Sequence, residues 1–569
     1  MANFGTTPPG AQKSRRLAVG VVAVVAALLW SQVMHRIVRS DFMELATSIQ
    51  DDSFYYLIPA FRFWEHGQFT FDGTTHTYGF QPAYECLLTV LAYFFHDKEN
   101  FIRAAMGLSA LLYCGTGVLV TAIVAECIAP SSFWGRLVQP GIAAAAGILF
   151  LTTGTTLLSA ITCKENALSG FLLAVALFWI PGARGELSGP RNEQRAFGFG
   201  LLVASLVLCR LLPTTLALSG LLSILAVRRT RAWKGFAVGV AAPIALWSAV
   251  AFSMFGQVIP ASVRIKSASA GTALAALDML KIAAGYTFHS IRFAVGQVSR
   301  FALPQPDASA SWGFGAGSVL VTALAVGAVA GLLLCSLERW RSHTVATDWS
   351  RVETAIAWCA AMALCIYPIQ AVLIASRRAD EIYYYTWYVF DLPVLLHVAF
   401  GAASLALARR LEWPGLRGIR RYAYALSLAL CVGLLGLSAS RGLSFVWSLE
   451  PYRTFSLEDE GWQHSMVRSG WWLRDHVQLA PGERVACASC GALALVFPDQ
   501  LVNLDGLASD VAADYLLNQP GKSIVPLLAK MGARYYVDVV DPQLQIQFDA
   551  VLHEESFRHG TYVVARLSP

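Results

Sequence analysis

Long apolar runs separated by short basic loops make up most of the chain up to about residue 440. The first run, Leu17 to Met34, follows a polar start ending in Lys13-Ser14-Arg15-Arg16 and is long enough to span a bilayer. It lacks the short apolar core and small-residue cleavage site of a removable signal peptide, so it reads as an uncleaved first helix with a cytoplasmic N-terminus. Further spans are expected near 101–127, 140–162, 167–181, 197–212, 214–227, 235–255, 314–336, 352–375, 389–408 and 422–440. The basic loops Arg184 to Arg195, Arg228 to Lys234, Arg339 to Arg351 and Arg409 to Arg421 all fall inside under the positive-inside rule. This gives about eleven crossings and sends the C-terminal tail outside. The run Pro82 to Phe95, about fourteen residues carrying Glu85, leaves two placements open. It lies in the interface plane as part of the first external loop, or it crosses, and then 140–165 must hold an extra turn.

Two external loops are long, the first over 35–100 and the second over about 257–312. Beyond Arg441 charges and His return, and short β-branched or aromatic runs at 484–488, 501–504, 534–540 and 561–567 alternate with helical periodicity. That alternation predicts a small α/β domain outside the membrane. The expected division is therefore a transmembrane domain over 1–440 and an extracytoplasmic α/β domain over 441–569. No internal repeat is visible, which argues against an inverted-repeat transporter.

Composition supports the class. Hydrophobic residues are 56% and charged residues 14% of 569, and the mean hydropathy is +0.52, far from the roughly 25% charge of a soluble domain. The net charge of +6 sits in the loop clusters, which excludes a nucleic-acid surface. Of eleven Cys, Cys487 and Cys490 alone form a C-x-x-C in the soluble region. With no second such pair or His cluster beside it, a buried strand or an incidental disulfide is the reading rather than a redox or metal site.

The chemistry gathers after the first helix. Asp51-Asp52-Ser53-Phe54-Tyr55-Tyr56 places two adjacent carboxylates at its outer mouth, a costly location near hydrocarbon and so a functional-site hypothesis. The plain alternative is that the pair caps an interfacial helix and meets its N-terminal dipole. Phe71-Asp72-Gly73 and Thr77-Tyr78-Gly79-Phe80-Gln81-Pro82 carry turn signals that fold the chain back over the membrane surface.

An acidic pair at this position, then aromatics, then a G-[FY]-x-P element (Gly79-Phe80-Gln81-Pro82), resembles the lipid-linked-sugar glycosyltransferases of the C-type fold. These include the protein O-mannosyltransferases, the aminoarabinose transferases of lipid A and many bacterial relatives, the set most similar to this chain. Lys164-Glu165-Asn166-Ala167-Leu168 resembles their G-M-E-T-A-L element, and Ile259-Pro260-Ala261-Ser262-Val263-Arg264-Ile265-Lys266 their P-x-S-x-x-x-K element. Trp387-Tyr388 with Pro393 resembles W-Y-x-x-P, and Val502-Asn503-Leu504-Asp505-Gly506-Leu507 the V-N-L-D-G-L of their external tail. One departure stands out: relatives often carry A-R-x-D-G where this chain has Cys209-Arg210-Leu211-Leu212-Pro213 and no acid. Arg210 reads either as a helix-end snorkelling residue or as a charge with an unidentified partner.

The resemblance implies a membrane glycosyltransferase that moves a sugar from a polyprenyl-phosphate donor to an extracytoplasmic protein, lipid or glycan acceptor, with inversion. Asp51 is the implied general base, with Asp52 and Glu165 orienting it or the sugar. The leaving lipid phosphate requires cations or donors. Lys266 and Arg264 are one such group, and Arg377, Arg378, Tyr385 and Tyr388 another. His76 joins the substrate-binding set. No cofactor is required, while Asp51, Asp52, His76 and Glu165 are the alternative oxygen-rich set for a divalent ion. Asp505 is expected to form a turn in an accessory tail domain. A polytopic transporter or lipid flippase is the competing function, and it calls for charges near the bilayer midplane in matching halves.

Overall fold

The computed structural model describes residues 9–128, 133–182, 190–230, 232–268, 348–375, 390–411, 462–497, 499–506, 509–518, 523–539, 546–557 and 560–568, with a few isolated positions besides. Helix α1 (Pro9–Arg39) carries the first apolar run and packs along α5 (Lys98–Glu126). Arg15 fixes one end of that pair. Its guanidinium bonds the Glu126 carboxylate at 2.9 Å and donates to the carbonyls of Glu126 and Ile128, which α5 would otherwise leave open at its C-terminus.

Between these helices run α2 (Phe42–Ser48), a single 3₁₀ turn (Asp51–Ser53), α3 (Phe54–His66) and α4 (Pro82–Ala92). At 11 residues, α4 is roughly 16 Å long against a hydrocarbon core of about 30 Å, so it does not cross alone. It lies against α3, with Tyr56 and Tyr84 edge to face at 5.5 Å. The bundle continues with α6 (Phe133–Thr152), α7 (Gly154–Ile161), α8 (Asn166–Gly182), α9 (Pro190–Cys209), α10 (Pro213–Thr230), α11 (Trp233–Phe255) and the short α12 (Ala261–Ala268). Helices α9 and α11 meet without intervening side chains: a Cβ on Gly239 would lie 2.3 Å from the Phe197 carbonyl oxygen. Small residues at helix crossings allow such backbone approach. Two longer helices, Asp348–Ala375 and Asp391–Leu411, complete the described bundle.

Among the described residues, five helices are long and apolar enough to cross a membrane. The expected spans at 314–336 and 422–440 lie outside the described residues. The expected single span over 140–162 is corrected to two helices, because the chain leaves the helical region at Thr153 (φ −76°, ψ 95°). Apolarity carries across that break, which hid it from a hydropathy reading.

The tail contributes the helix Trp462–His476 and a five-stranded sheet of β1 (Arg484–Cys487), β2 (Leu501–Asn503), β3 (Ala533–Val539), β4 (Phe548–Phe557) and β5 (Gly560–Leu567) in the order β2-β1-β3-β5-β4. β1 is parallel to both β2 and β3, and β5 is antiparallel to both β3 and β4. Helices Asp510–Asn518 and Val525–Lys530 fill the crossover from β2 to β3. Strands β1, β2, β3 and β5 fall on the four runs read from the sequence. β4 was missed because it is an edge strand bearing His553, Glu554 and Glu555, the charged pattern that protects sheet edges. The tail sits on the bundle end that carries the acidic pair, held there by Gln463 donating to the Ile49 carbonyl (2.9 Å) and by the Arg62–Asp499 ion pair (2.7 Å).

Candidate active site

The acids come from two turns that close on each other. Asp41 caps α2 by accepting the Glu44 N–H at 2.8 Å, and the chain then leaves the helix at Ile49 and re-enters through the 3₁₀ turn that holds Asp51 and Asp52. The other turn joins α7 to α8. Cys163 there has φ 60°, left-handed backbone that a side chain seldom adopts, and Asn166 braces it through Ser159 Oγ at 2.8 Å. That strained turn carries Lys164 and Glu165, each with its own ion-pair partner. Ser53 Oγ donates to the Thr162 carbonyl at 2.5 Å and ties the two turns together.

Lys164 Nζ meets Asp52 Oδ2 at 3.0 Å, with the ammonium buried and the carboxylate 38% exposed. Glu165 is 3.5 Å from Nε of Arg210 in the link between α9 and α10. Arg210 is fully buried and has Asp391 and Tyr367 as further electrostatic neighbours. It does not snorkel. Asp391, which also accepts from Ser169 at 2.9 Å and Thr215 at 3.3 Å, brings an acid to Arg210 from the start of a distant helix. Gln81 of the turn before α4 accepts the Leu211 N–H at 3.3 Å, so the Gly79–Pro82 element touches the same link.

Asp51, like Glu165, is buried, 7% exposed. The tail roofs it: Ala492 N–H, at the start of a 3₁₀ turn, donates to Asp51 Oδ1 at 3.1 Å. Gly491 permits the approach, since a Cβ there would lie 2.1 Å from the Asp51 carbonyl oxygen. Burial first, and then the charge of Asp52, push the Asp51 carboxyl well above the usual carboxylate range, and the Ala492 hydrogen bond opposes them.

Sequence reasoning missed how much of this site the tail supplies. Tyr55, one helical turn beyond Asp51, donates to Asp505 Oδ2 at 3.0 Å and accepts from Asn503 Nδ2 at 3.3 Å. Asp538 accepts the N–H groups of Ala488 and Ser489 at 2.8 and 2.9 Å. Asn503 ends β2, and Asp505 and the Ala488–Ala492 segment follow the carboxyl ends of β2 and β1, the edge at which α/β sheets form their sites. Asp505 lies in the bend after β2, where Gly506 has φ 74°, and it is a partner of Tyr55 besides; strand topology is the signal that identifies that second role. Lys164 was also overlooked, though it precedes Glu165 in the same element.

The remaining expected residues are placed as follows or lie outside the described residues. Arg264 is matched by Asp514 at 3.0 Å and Asp510 at 3.8 Å, so it clasps the tail helix Asp510–Asn518. Lys266 belongs to α12, but its side chain is outside the description. Tyr385 and Tyr388 fall outside the described residues, as do Arg377 and Arg378. His76 is exposed, pairs with Thr70 in an isolated bridge and lies edge-on to Phe255 at 6.3 Å. Among the described residues no group of three His, Cys, Asp or Glu is placed to hold a metal ion, so the set Asp51, Asp52, His76 and Glu165 is not assembled.

No family model matches the chain, and no curated protein matches it. Among solved structures, ArnT from Cupriavidus metallidurans bound to undecaprenyl phosphate is similar over 97% of this chain and 98% of its own, with 14% identity and a TM-score of 0.52. Its apo state matches over 96% and 97%, at the same identity and score. The archaeal oligosaccharyltransferase AglB from Archaeoglobus fulgidus, in complex with an inhibitory peptide and a dolichol-phosphate, is similar over 92% of this chain and 69% of its own, with 13% identity and a TM-score of 0.46. The ArnT likeness over nearly both whole chains shows that this chain shares that protein's overall fold.

Proposed function

We propose that this protein is an integral membrane glycosyltransferase that takes a sugar from a polyprenyl-phosphate donor and delivers it, with inversion, to an acceptor hydroxyl on the extracytoplasmic side. The observation that carries the reading is the convergence of Asp51, Asp52 and Glu165 with the buried cations Lys164 and Arg210 at one bundle end, in the fold of a protein solved with undecaprenyl phosphate. Charges grouped at one end also disfavour the transporter reading.

In this scheme the acceptor oxygen attacks the anomeric carbon as its proton passes to Asp51, and the bond from that carbon to the phosphate oxygen breaks on the opposite face. An elevated carboxyl is a stronger base than an ordinary one, which suits it to a hydroxyl proton. The departing phosphate needs preorganised positive charge. Lys164 supplies it, with Lys266 of α12 as a second cation and Arg210 holding Glu165 in place. The tail closes the acceptor side through Ala492, Asn503 and Asp505. The N-terminus is cytoplasmic and the tail extracytoplasmic, as the basic loops require.

Native mass spectrometry of the protein in nanodiscs with undecaprenyl phosphate tests the donor side. The expected result is a one-to-one complex that Lys164→Ala weakens about tenfold or more, since a charge-assisted contact to phosphate is lost from a partly dehydrated site. Failure of the intact protein to bind undecaprenyl phosphate would overturn the reading.

A further inference from the structure

Cys487 and Cys490 take no part in the proposed chemistry, yet they lie next to it. Cys487 ends β1 and Cys490 directly precedes Gly491 and Ala492, the two residues that press on Asp51. Both are free thiols, fully buried, and they hydrogen-bond to each other. The loop between them is held from two sides. Asp538 takes both of its inner N–H groups, while Asn503 Nδ2 donates to the Ala488 carbonyl at 3.2 Å and to Cys490 Sγ at 3.1 Å. The other described cysteines are dispersed along the bundle.

We propose that Cys487 and Cys490 are a redox modification site, a dithiol that closes to an intrachain disulfide and so restrains the Gly491–Ala492 roof over Asp51. The oxidant is a disulfide of the thiol-exchange class, such as an oxidoreductase disulfide or glutathione disulfide. One cysteine thiolate attacks it, forming a mixed disulfide and expelling one thiolate. The second cysteine then attacks the mixed disulfide at the protein sulfur, closing the S–S bond and expelling the other. Two electrons pass to the external disulfide, which leaves as two thiols carrying the two protons.

Location and burial together set the behaviour. A tail outside the membrane meets an oxidising compartment, where such pairs close. With the roof down, burial pushes both thiols up in pKa and shields them from any partner. Exchange therefore requires the roof to lift, the same motion that exposes Asp51. Once formed, the disulfide removes conformational freedom from residues 487–490 and hence from the lifted ensemble. The oxidising surroundings and the effect on Asp51 rest on the proposed function, but thiol–disulfide exchange at this pair does not, so the two fail separately.

The test uses the full-length protein in nanodiscs, equilibrated over a series of reduced to oxidised glutathione ratios, acid-quenched, denatured, alkylated and analysed as peptides by mass spectrometry. The expected result is one two-electron transition in which the peptide bearing Cys487 and Cys490 passes from doubly alkylated to unalkylated and two hydrogens lighter, while Cys114, Cys163 and Cys209 stay alkylated. Double alkylation at every ratio, or a glutathione adduct as the end state, would overturn the site. Hydrogen exchange tests the restraint: the Ala492 amide should exchange several-fold more slowly in the oxidised protein. Equal exchange in the two forms would overturn the link to Asp51.

Discussion

Tyr55 of α3 and Asp505 of the tail, 450 residues apart, share a hydrogen bond of 3.0 Å beside Asp51. The hydroxyl also accepts from Asn503, so a single phenol joins the helix that carries the acidic pair to the carboxyl end of β2. Tyr55→Phe removes the bond and leaves two polar groups facing a ring. A lost hydrogen bond to a charged acceptor in a buried site costs about 1.5–3 kcal/mol. The expected outcome is a lower thermal midpoint and faster proteolysis of the tail. A double-mutant cycle with Asp505→Asn should give a coupling of at least about 0.5 kcal/mol. Strict additivity would show that the contact does not fasten the domains.

Asp51→Asn keeps the side-chain shape and the capacity to accept from Ala492, and removes only the proton acceptor. General-base catalysis contributes typically about 100-fold or more, so turnover should fall by that factor while undecaprenyl phosphate binding is retained. Near-normal glycosylation would remove Asp51 from the chemistry.

The pH profile should carry the mark of Asp52. Burial and the Asp52 charge both raise Asp51, and the base is competent only when ionised. Activity should therefore fall on acidification with an apparent pKa above the ordinary carboxylate range, about 3.9 for Asp. Asp52→Asn removes the raising charge and releases Lys164 from its carboxylate partner. Both changes favour ionised Asp51, so the acid limb should move to lower pH. A limb that stays put or moves upward would show that another group titrates.

The acids were legible because each belongs to a local pattern: Asp51-Asp52 past an apolar run, and Glu165 at the end of another. Their partners were not, because pairing here is made by packing rather than by spacing. Arg210 looks from its flanks like a snorkelling residue, but the fold surrounds it with Glu165 and Asp391, drawn from elements 45 and 181 residues away in opposite directions. Four strands of the tail could be read from their β-branched runs, whereas β4 carries the polar residues of an exposed edge. The roof over Asp51 had no local signal at all. It follows from β1 and β2 being parallel, which turns their carboxyl ends toward the same place.

Asp510 should make the docking of the tail depend on pH. Burial raises its carboxyl from 3.8 to about 6, against the lowering contributions of Gln257 and Arg264. Gln257 donates to it at 3.0 Å, Arg264 lies 3.8 Å away and also holds Asp514, and His76 adds a weaker lowering contribution. With a folded pKa above the unfolded one, the folded protein binds the extra proton between about pH 4 and 6. Stability from this group is therefore fully present below about pH 4, declines as pH rises through 6, and is flat above. At about 1.4 kcal/mol per unit the whole effect is at most about 3 kcal/mol. Asp510→Asn retains an acceptor for Gln257 but cannot ionise. Its thermal midpoint should exceed that of the parent at pH 7.5, and the two should converge near pH 4. A variant less stable than the parent at pH 7.5 would show instead that the ion pair with Arg264 outweighs the burial of the charge.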